Sequence, residues 1–166
     1  MSDWQGAELS QQLSRLDEQA AQRTRNSAFL DQALSEIEGI TPQALDPRCT
    51  RNGHYAYIIH YNKATFAGMP IQKFIQAFNA EGIPTQASYP PVHDLAVFQN
   101  GEYRKRLSPE AAQEKHAFLY DNFPKSLRGA WETFWLPQPV LLGTQEEMEQ
   151  VVQAIQKIQL HAKDLV

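Results

Sequence analysis

The run GHYAYIIHYN, residues 53–62, constrains the fold of this chain more than any other stretch. Aromatic and β-branched residues occupy both of its alternating sets, the pattern of a strand covered on both faces for much of its length. Such a strand needs packing partners, and the next residues supply one. Pro70 suits the first position of a helix, Ile71, Phe74, Ile75 and Phe78 recur on one helical face, and Gly82 closes it. Ile83 to Ser88 then read as extended, so strand, helix and extended segment form one compact α+β unit.

Upstream, Ser2 and Gln5 have capping-box spacing, and Leu9, Leu13, Leu16 and Ala20, then Leu30, Leu34 and Ile37, repeat at helical intervals until Gly39 and Pro42. The stripe is thin and polar from Gln19 to Asn26. This predicts two helices, or one long helix bridging two bodies. A single helix of roughly 35 residues would span about 50 Å, too long for a compact domain of 166 residues to cover. Residues 1–39 therefore read as a long N-terminal helix reaching toward a partner, and 40–166 as a small α+β domain.

Downstream, Asp94 to Leu107 carries the turn dipeptide Asn100-Gly101 and little periodicity, which predicts a surface loop with about one helical turn. Ser108-Pro109-Glu110 opens a helix running to about Tyr120. Lys125 to Glu132 form a short helical piece after Pro124, and Thr133 to Leu136 read as a buried strand. Thr144 and Glu147 make a second capping box, and Met148, Val151, Val152, Ile155 and Ile158 give the closing helix its buried face.

The segment Glu81 to His93 is the one that could carry function. Its prolines at 84, 90 and 91 fix φ and remove donors, so Tyr89 and His93 are presented from stiff backbone. A polyproline corner between packed elements would use the same residues. Other candidate constellations are weaker. His54 and His60 lie six residues apart on one strand, about 20 Å, too far to share a metal ion even with Cys49 nearby. Tyr55, Tyr57, Tyr61 and Phe66 read as core aromatics, because a net charge of -4 with scattered Lys and Arg leaves no basic groove for nucleic acid. Asp46, Glu81, Asp94 and Glu102 show no carboxylate-pair spacing, and Cys49 has no local base. A lone cysteine, no apolar run near the roughly 20 residues a membrane helix needs, and no signal-peptide core lead to the expectation of a cytoplasmic protein.

Taken together, Met1-Ser2-Asp3-Trp4-Gln5-Gly6-Ala7, Leu13-Ser14-Arg15-Leu16-Asp17, Asn52-Gly53-His54-Tyr55, Gly82-Ile83-Pro84-Thr85, Tyr89-Pro90-Pro91-Val92-His93 and Trp135-Leu136-Pro137 resemble the C-terminal portion of DegT/StrS-type aminotransferases. The order and spacing of the blocks carry the resemblance, which extends over essentially the whole chain. It implies the small domain of a fold type I enzyme that uses pyridoxal phosphate to aminate keto-sugars, including nucleotide-sugars, or keto-cyclitols. A large domain of roughly 220 residues normally precedes this part and supplies the Schiff-base lysine and the Asp that pairs with the pyridine nitrogen. In the family an Asn and an Arg lie just before the Met-Ser block, so the resemblance implies an internal start, a split gene or an excised piece.

Lys63, Lys73, Lys105, Lys115, Lys125, Lys157 and Lys163 all lie in polar surroundings, whereas a Schiff-base amine must be desolvated to lose its proton. No glycine-rich loop precedes a helix to cradle a phosphate. The expectation is a chain that binds no pyridoxal phosphate by itself, with no catalytic residue. It would keep Tyr89 and His93 on the substrate side of the site and Trp135 in the core. It would associate as a homo-oligomer or with a separate large-domain polypeptide. The alternative is a non-catalytic binding or dimerisation module. In either case the expected fold is α+β, a small antiparallel or mixed sheet of about three strands flanked by helices.

Overall fold

A computed structural model describes residues 1–99, 106 and 123–166. The helix expected from Ser108 to Tyr120 lies outside the described residues. Two helices open the chain, α1 (Asp3–Leu13) and α2 (Leu16–Ser35). The Ser2–Gln5 capping box forms as its spacing predicts. The interruption falls at Ser14 and Arg15, before the thin polar stretch, because α2 does not need an unbroken apolar stripe there. Its residues 19–26 are held instead by polar contacts. Gln22 donates to the carbonyl of Leu142 at 2.7 Å, and Asn26 donates to the carbonyls of Leu141 and Gly143 at 2.9 and 2.8 Å.

The sheet has four strands rather than about three and is antiparallel throughout. Its order is β1 (Ile40–Pro42), β2 (Ala56–Tyr61), β4 (Thr133–Pro137), β3 (Gln86–Ala87). β2 lies opposite β4 with Tyr57 against Leu136 and Ile59 against Phe134. The expectation of a strand covered on both faces is corrected for β2. Tyr57, Ile59 and Tyr61 are buried, whereas Ala56, Ile58 and His60 are only half-covered. β4 is the strand enclosed on both sides, because the short helix leading into it lies against Thr133 and the rings of Tyr55 and Tyr89 lie on Trp135.

Helices α2, α3 (Ile71–Ala80) and α6 (Gln145–Leu160) pack on the first face. Leu30 and Leu34 of α2 join Phe74, Phe78, Phe134, Met148 and Ile155 in one cluster, so the core draws on residues from both sides of position 39. Phe74 is the aromatic hub, with ring centroids 4.7 Å from Tyr61 and 5.0 Å from Phe134. Burying a side chain of this size contributes on the order of 2–3 kcal/mol. Tyr57 donates to Asp31 at 2.6 Å, and burial together with that carboxylate holds its phenol well above the ordinary range. Gly39 links α2 to β1 at φ +85°, where a Cβ would stand 1.8 Å from the Thr65 hydroxyl oxygen. Over the second face lies the short helix α5 (Pro124–Trp131), α4 (Ala96–Gln99) packs beside the turn at Val92–Asp94, and α7 (Ala162–Leu165) ends the chain.

Candidate functional site

The second face of the sheet carries the polar and aromatic residues that the core does not use. Strand alternation brings Ile58, His60, Thr133 and Trp135 to this face, with Ile58 opposite Trp135 and His60 opposite Thr133. At one end, Tyr55 and Tyr89 each stack on Trp135 with centroids 6.2 Å away. Trp135 is 7% exposed and donates its Nε1–H to the Ala87 carbonyl at 3.0 Å, whereas Tyr55 and Tyr89 are 74% and 69% exposed. The three rings make a platform fixed from below and open above. A hydrogen bond with the Tyr55 hydroxyl is the main cause raising the Tyr89 phenol above its ordinary range.

The proline corner sends its two candidate residues in different directions. Tyr89 faces outward on the platform. His93 lies in a 3-10 turn (Val92–Asp94), is 7% exposed, stacks on Phe123 at 5.2 Å and has its Nε2 3.7 Å from a carboxylate oxygen of Asp94. Ser88, just before the corner, is tied to the sheet. The Thr133 hydroxyl donates to the Gly129 carbonyl, so Ser88 must be the donor in its own bond to Thr133.

At the other end, His60 Nε2 and Arg128 Nε both approach Oε2 of Glu132 at 3.1 Å. Two adjoining cavities of about 630 Å³ each meet at Thr41, His60 and Arg128. The pair Arg128 and Glu132 has i, i+4 spacing and could have been read from sequence. His60 could not, because only strand register brings it there.

The remaining sequence candidates are dispersed. His54 precedes β2 instead of sharing its face, since a φ of +49° turns it toward Ser27 of α2. Tyr57, Tyr61 and Phe66 are core as expected, but Tyr55 is not, because it lies beyond the end of the sheet's cover. Cys49 is exposed, and among the described residues no three His, Cys, Asp or Glu side chains could share a metal ion. Lys63, Lys73, Lys125, Lys157 and Lys163 are all exposed, while Lys105 and Lys115 lie outside the described residues. The described lysines thus do not fit the Schiff base of pyridoxal phosphate, which needs a desolvated amine. Among the described residues no helix is long and apolar enough to cross a membrane.

Three helices on one face of a small antiparallel sheet, with polar groups gathered on the other, are the small domain of a fold type I aminotransferase. Solved structures share it. 3-Amino-5-hydroxybenzoic acid synthase superposes with a TM-score of 0.69 at 23% identity, over 89% of this chain and 36% of that one. The aminotransferase TlmJ from Streptoalloteichus hindustanus gives 0.64 at 21%, over 93% and 35%. The model of the DegT/DnrJ/EryC1/StrS aminotransferase family matches residues 1–156, and the chain belongs to that family. It is 30% identical to L-glutamine:2-deoxy-scyllo-inosose aminotransferase of Streptoalloteichus tenebrarius and 31% identical to the enzyme of the same name from Streptomyces fradiae. Each alignment takes in 99% of this chain and 39% of the relative, so the chain spans about two fifths of the curated relatives' length. Members of the family use pyridoxal phosphate, and a structural neighbour from Streptococcus pneumoniae, with a TM-score of 0.65 at 18% identity, is known in that form.

Proposed function

We propose that this chain is the C-terminal part of an aminotransferase that aminates a keto-cyclitol or keto-sugar, working with a large domain that holds pyridoxal phosphate and its lysine. The observation that carries this reading is the 30% identity to a glutamine-dependent inosose aminotransferase over 99% of the chain. In this reading the open sheet face turns toward the active site. Tyr89 offers a ring and a hydroxyl to the substrate, and His93 holds the proline corner from beneath while bordering the same side. α1, which buries none of its residues, is the segment that reaches the large domain.

The test is reconstitution with a large-domain polypeptide taken from a relative, following amino transfer from L-glutamine to 2-deoxy-scyllo-inosose. The chain alone should form no borohydride-trappable aldimine with pyridoxal phosphate, and stoichiometric labelling of one lysine would overturn that expectation. In the reconstituted enzyme Tyr89→Phe should lower kcat/KM about fivefold, the loss of one hydrogen bond to a neutral hydroxyl, and His93→Ala should lower it at least as much. If the corner only packs, both substitutions will reduce Tm and leave amination unchanged below it. A second reading, a non-catalytic dimerisation module, draws on the exposed Leu9, Leu13 and Leu16. It requires that reconstitution yield no activity while self-association persists.

A further inference from the structure

We propose that the cleft between α5 and the open face of the sheet is a binding site for a compact oxyanion, the carboxylate or phosphate group of a small metabolite. The cleft is lined by Thr41, His60, Asn62 and Lys63 on the sheet side and by Arg128 and Trp131 on the helix side. Arg128 commits its Nε to Glu132, which fixes the plane of the guanidinium, and its two terminal nitrogens make no hydrogen bond among the described residues. A guanidinium held in this way presents the two-pronged donor face that fits a carboxylate or phosphate. Lys63 makes no ion pair among the described residues and adds a second positive charge on the same cavity. Glu132 offsets one of the two cations, and His60 adds a further donor when protonated. The cleft is therefore locally cationic on a chain whose net charge is -4. An anion entering it exchanges water for charge-assisted hydrogen bonds from both walls.

The site follows from these side chains alone and stands whether or not the aminotransferase reading does. If that reading holds with a neutral cyclitol as substrate, the chemistry assigns the cleft to the amino donor. A neutral inosose has no anionic group to place there, whereas L-glutamine has its α-carboxylate.

The experiment uses the purified chain without cofactor, so its outcome is independent of reconstitution. Side-chain NMR signals of His60 and the Trp131 indole are followed at constant ionic strength during titration with inorganic phosphate. Separate titrations use L-glutamine against L-glutaminol, which lacks the carboxylate, and uridine diphosphate against uridine. Saturable shifts at both residues with phosphate are expected, weakened about tenfold or more in Arg128→Gln and in Lys63→Gln, as loss of a charge-assisted contact implies. Both side chains are exposed, so the variants should melt like the parent, and the melting curves verify this. A shift with L-glutamine but not L-glutaminol identifies a carboxylate site, and one with uridine diphosphate but not uridine a phosphate site. Shifts that fail to saturate, or that persist unchanged in both variants, overturn the proposal.

Discussion

His54 occupies a backbone conformation that few side chains adopt, with φ at +49°, and it is held there by local bonds. Its own N–H donates to Asn52 Oδ1 at 3.0 Å, and its ring lies 3.4 Å from the Ser27 hydroxyl. Burial, assisted by the charge of Arg23 and opposed by Asp31, pushes its pKa below the ordinary 6.5. The unfolded chain therefore takes up a proton near 6.5 that the folded chain refuses. The contribution of His54 to stability is constant above that pH and declines as pH falls from there toward the lower folded value. Tm of the parent should drop between pH 7 and pH 5.5 by more than that of His54→Asn, since Asn tolerates the left-handed conformation without the titrating ring. Parallel curves for the two proteins would refute this. Nothing in the sequence around Asn52-Gly53-His54 marks the burial, because the covering residues come from α2, 27 positions away for Ser27. Tyr89 was legible as a presented side chain, whereas the inward turn of His93 depends on Phe123, thirty residues on.

At the scale of elements, what could be read was whatever is decided locally. Both capping boxes form, Ser2 with Gln5 and Thr144 with Glu147, because their partners are three residues apart. Thr144 accepts from the Glu147 N–H at 3.2 Å, and the Glu147 carboxylate accepts from the Thr144 N–H at 2.6 Å. Thr144→Ala should cost about 1 kcal/mol, read from denaturant unfolding, and Thr144→Ser should restore most of it. No loss on Thr144→Ala would mean that α6 is held by its apolar face alone. The short strand β1 was beyond sequence reasoning, whereas β3 falls inside the stretch Ile83 to Ser88 that reads as extended. Three residues and two residues are too few for periodicity, and they pair only because β2 and β4 already offer free edges. The break between α1 and α2 was misplaced for a related reason. Polar contacts from Gln22 and Asn26 to the turn before α6 stand in for an apolar stripe, and those are long-range.

For the molecule as a whole, one core is complete and one surface is not. The sheet and its three packed helices enclose Phe74, Phe134 and Ile155, but α1 buries nothing and leaves Trp4, Leu9 and Leu13 exposed. An 11-residue helix that buries none of its residues is marginal in water, so α1 should acquire its stability by association. Light scattering should find dimers or larger species at high micromolar concentration, reverting to monomer in a Leu9→Gln, Leu13→Gln double variant. A parent that stays monomeric would count against this face. It lies outside the α+β unit that the aromatic run fixes, which explains why the fold was legible while the partner was not.

The outer border of β1 sets how this sheet behaves toward copies of itself. Gly39 and Gln43 bond inward to β2, through Asn62 N–H to the Gly39 carbonyl and Gln43 N–H to the Ile58 carbonyl, so by alternation Ile40 and Pro42 turn their backbone outward. The Ile40 N–H is already given to the Ile37 carbonyl, and Pro42 has none. That border offers no donor to an arriving strand, and the opposite border is two residues long. Whatever this protein recruits, it will not do so by lengthening its sheet, and a crowded solution of it is protected from fibrous growth at both margins.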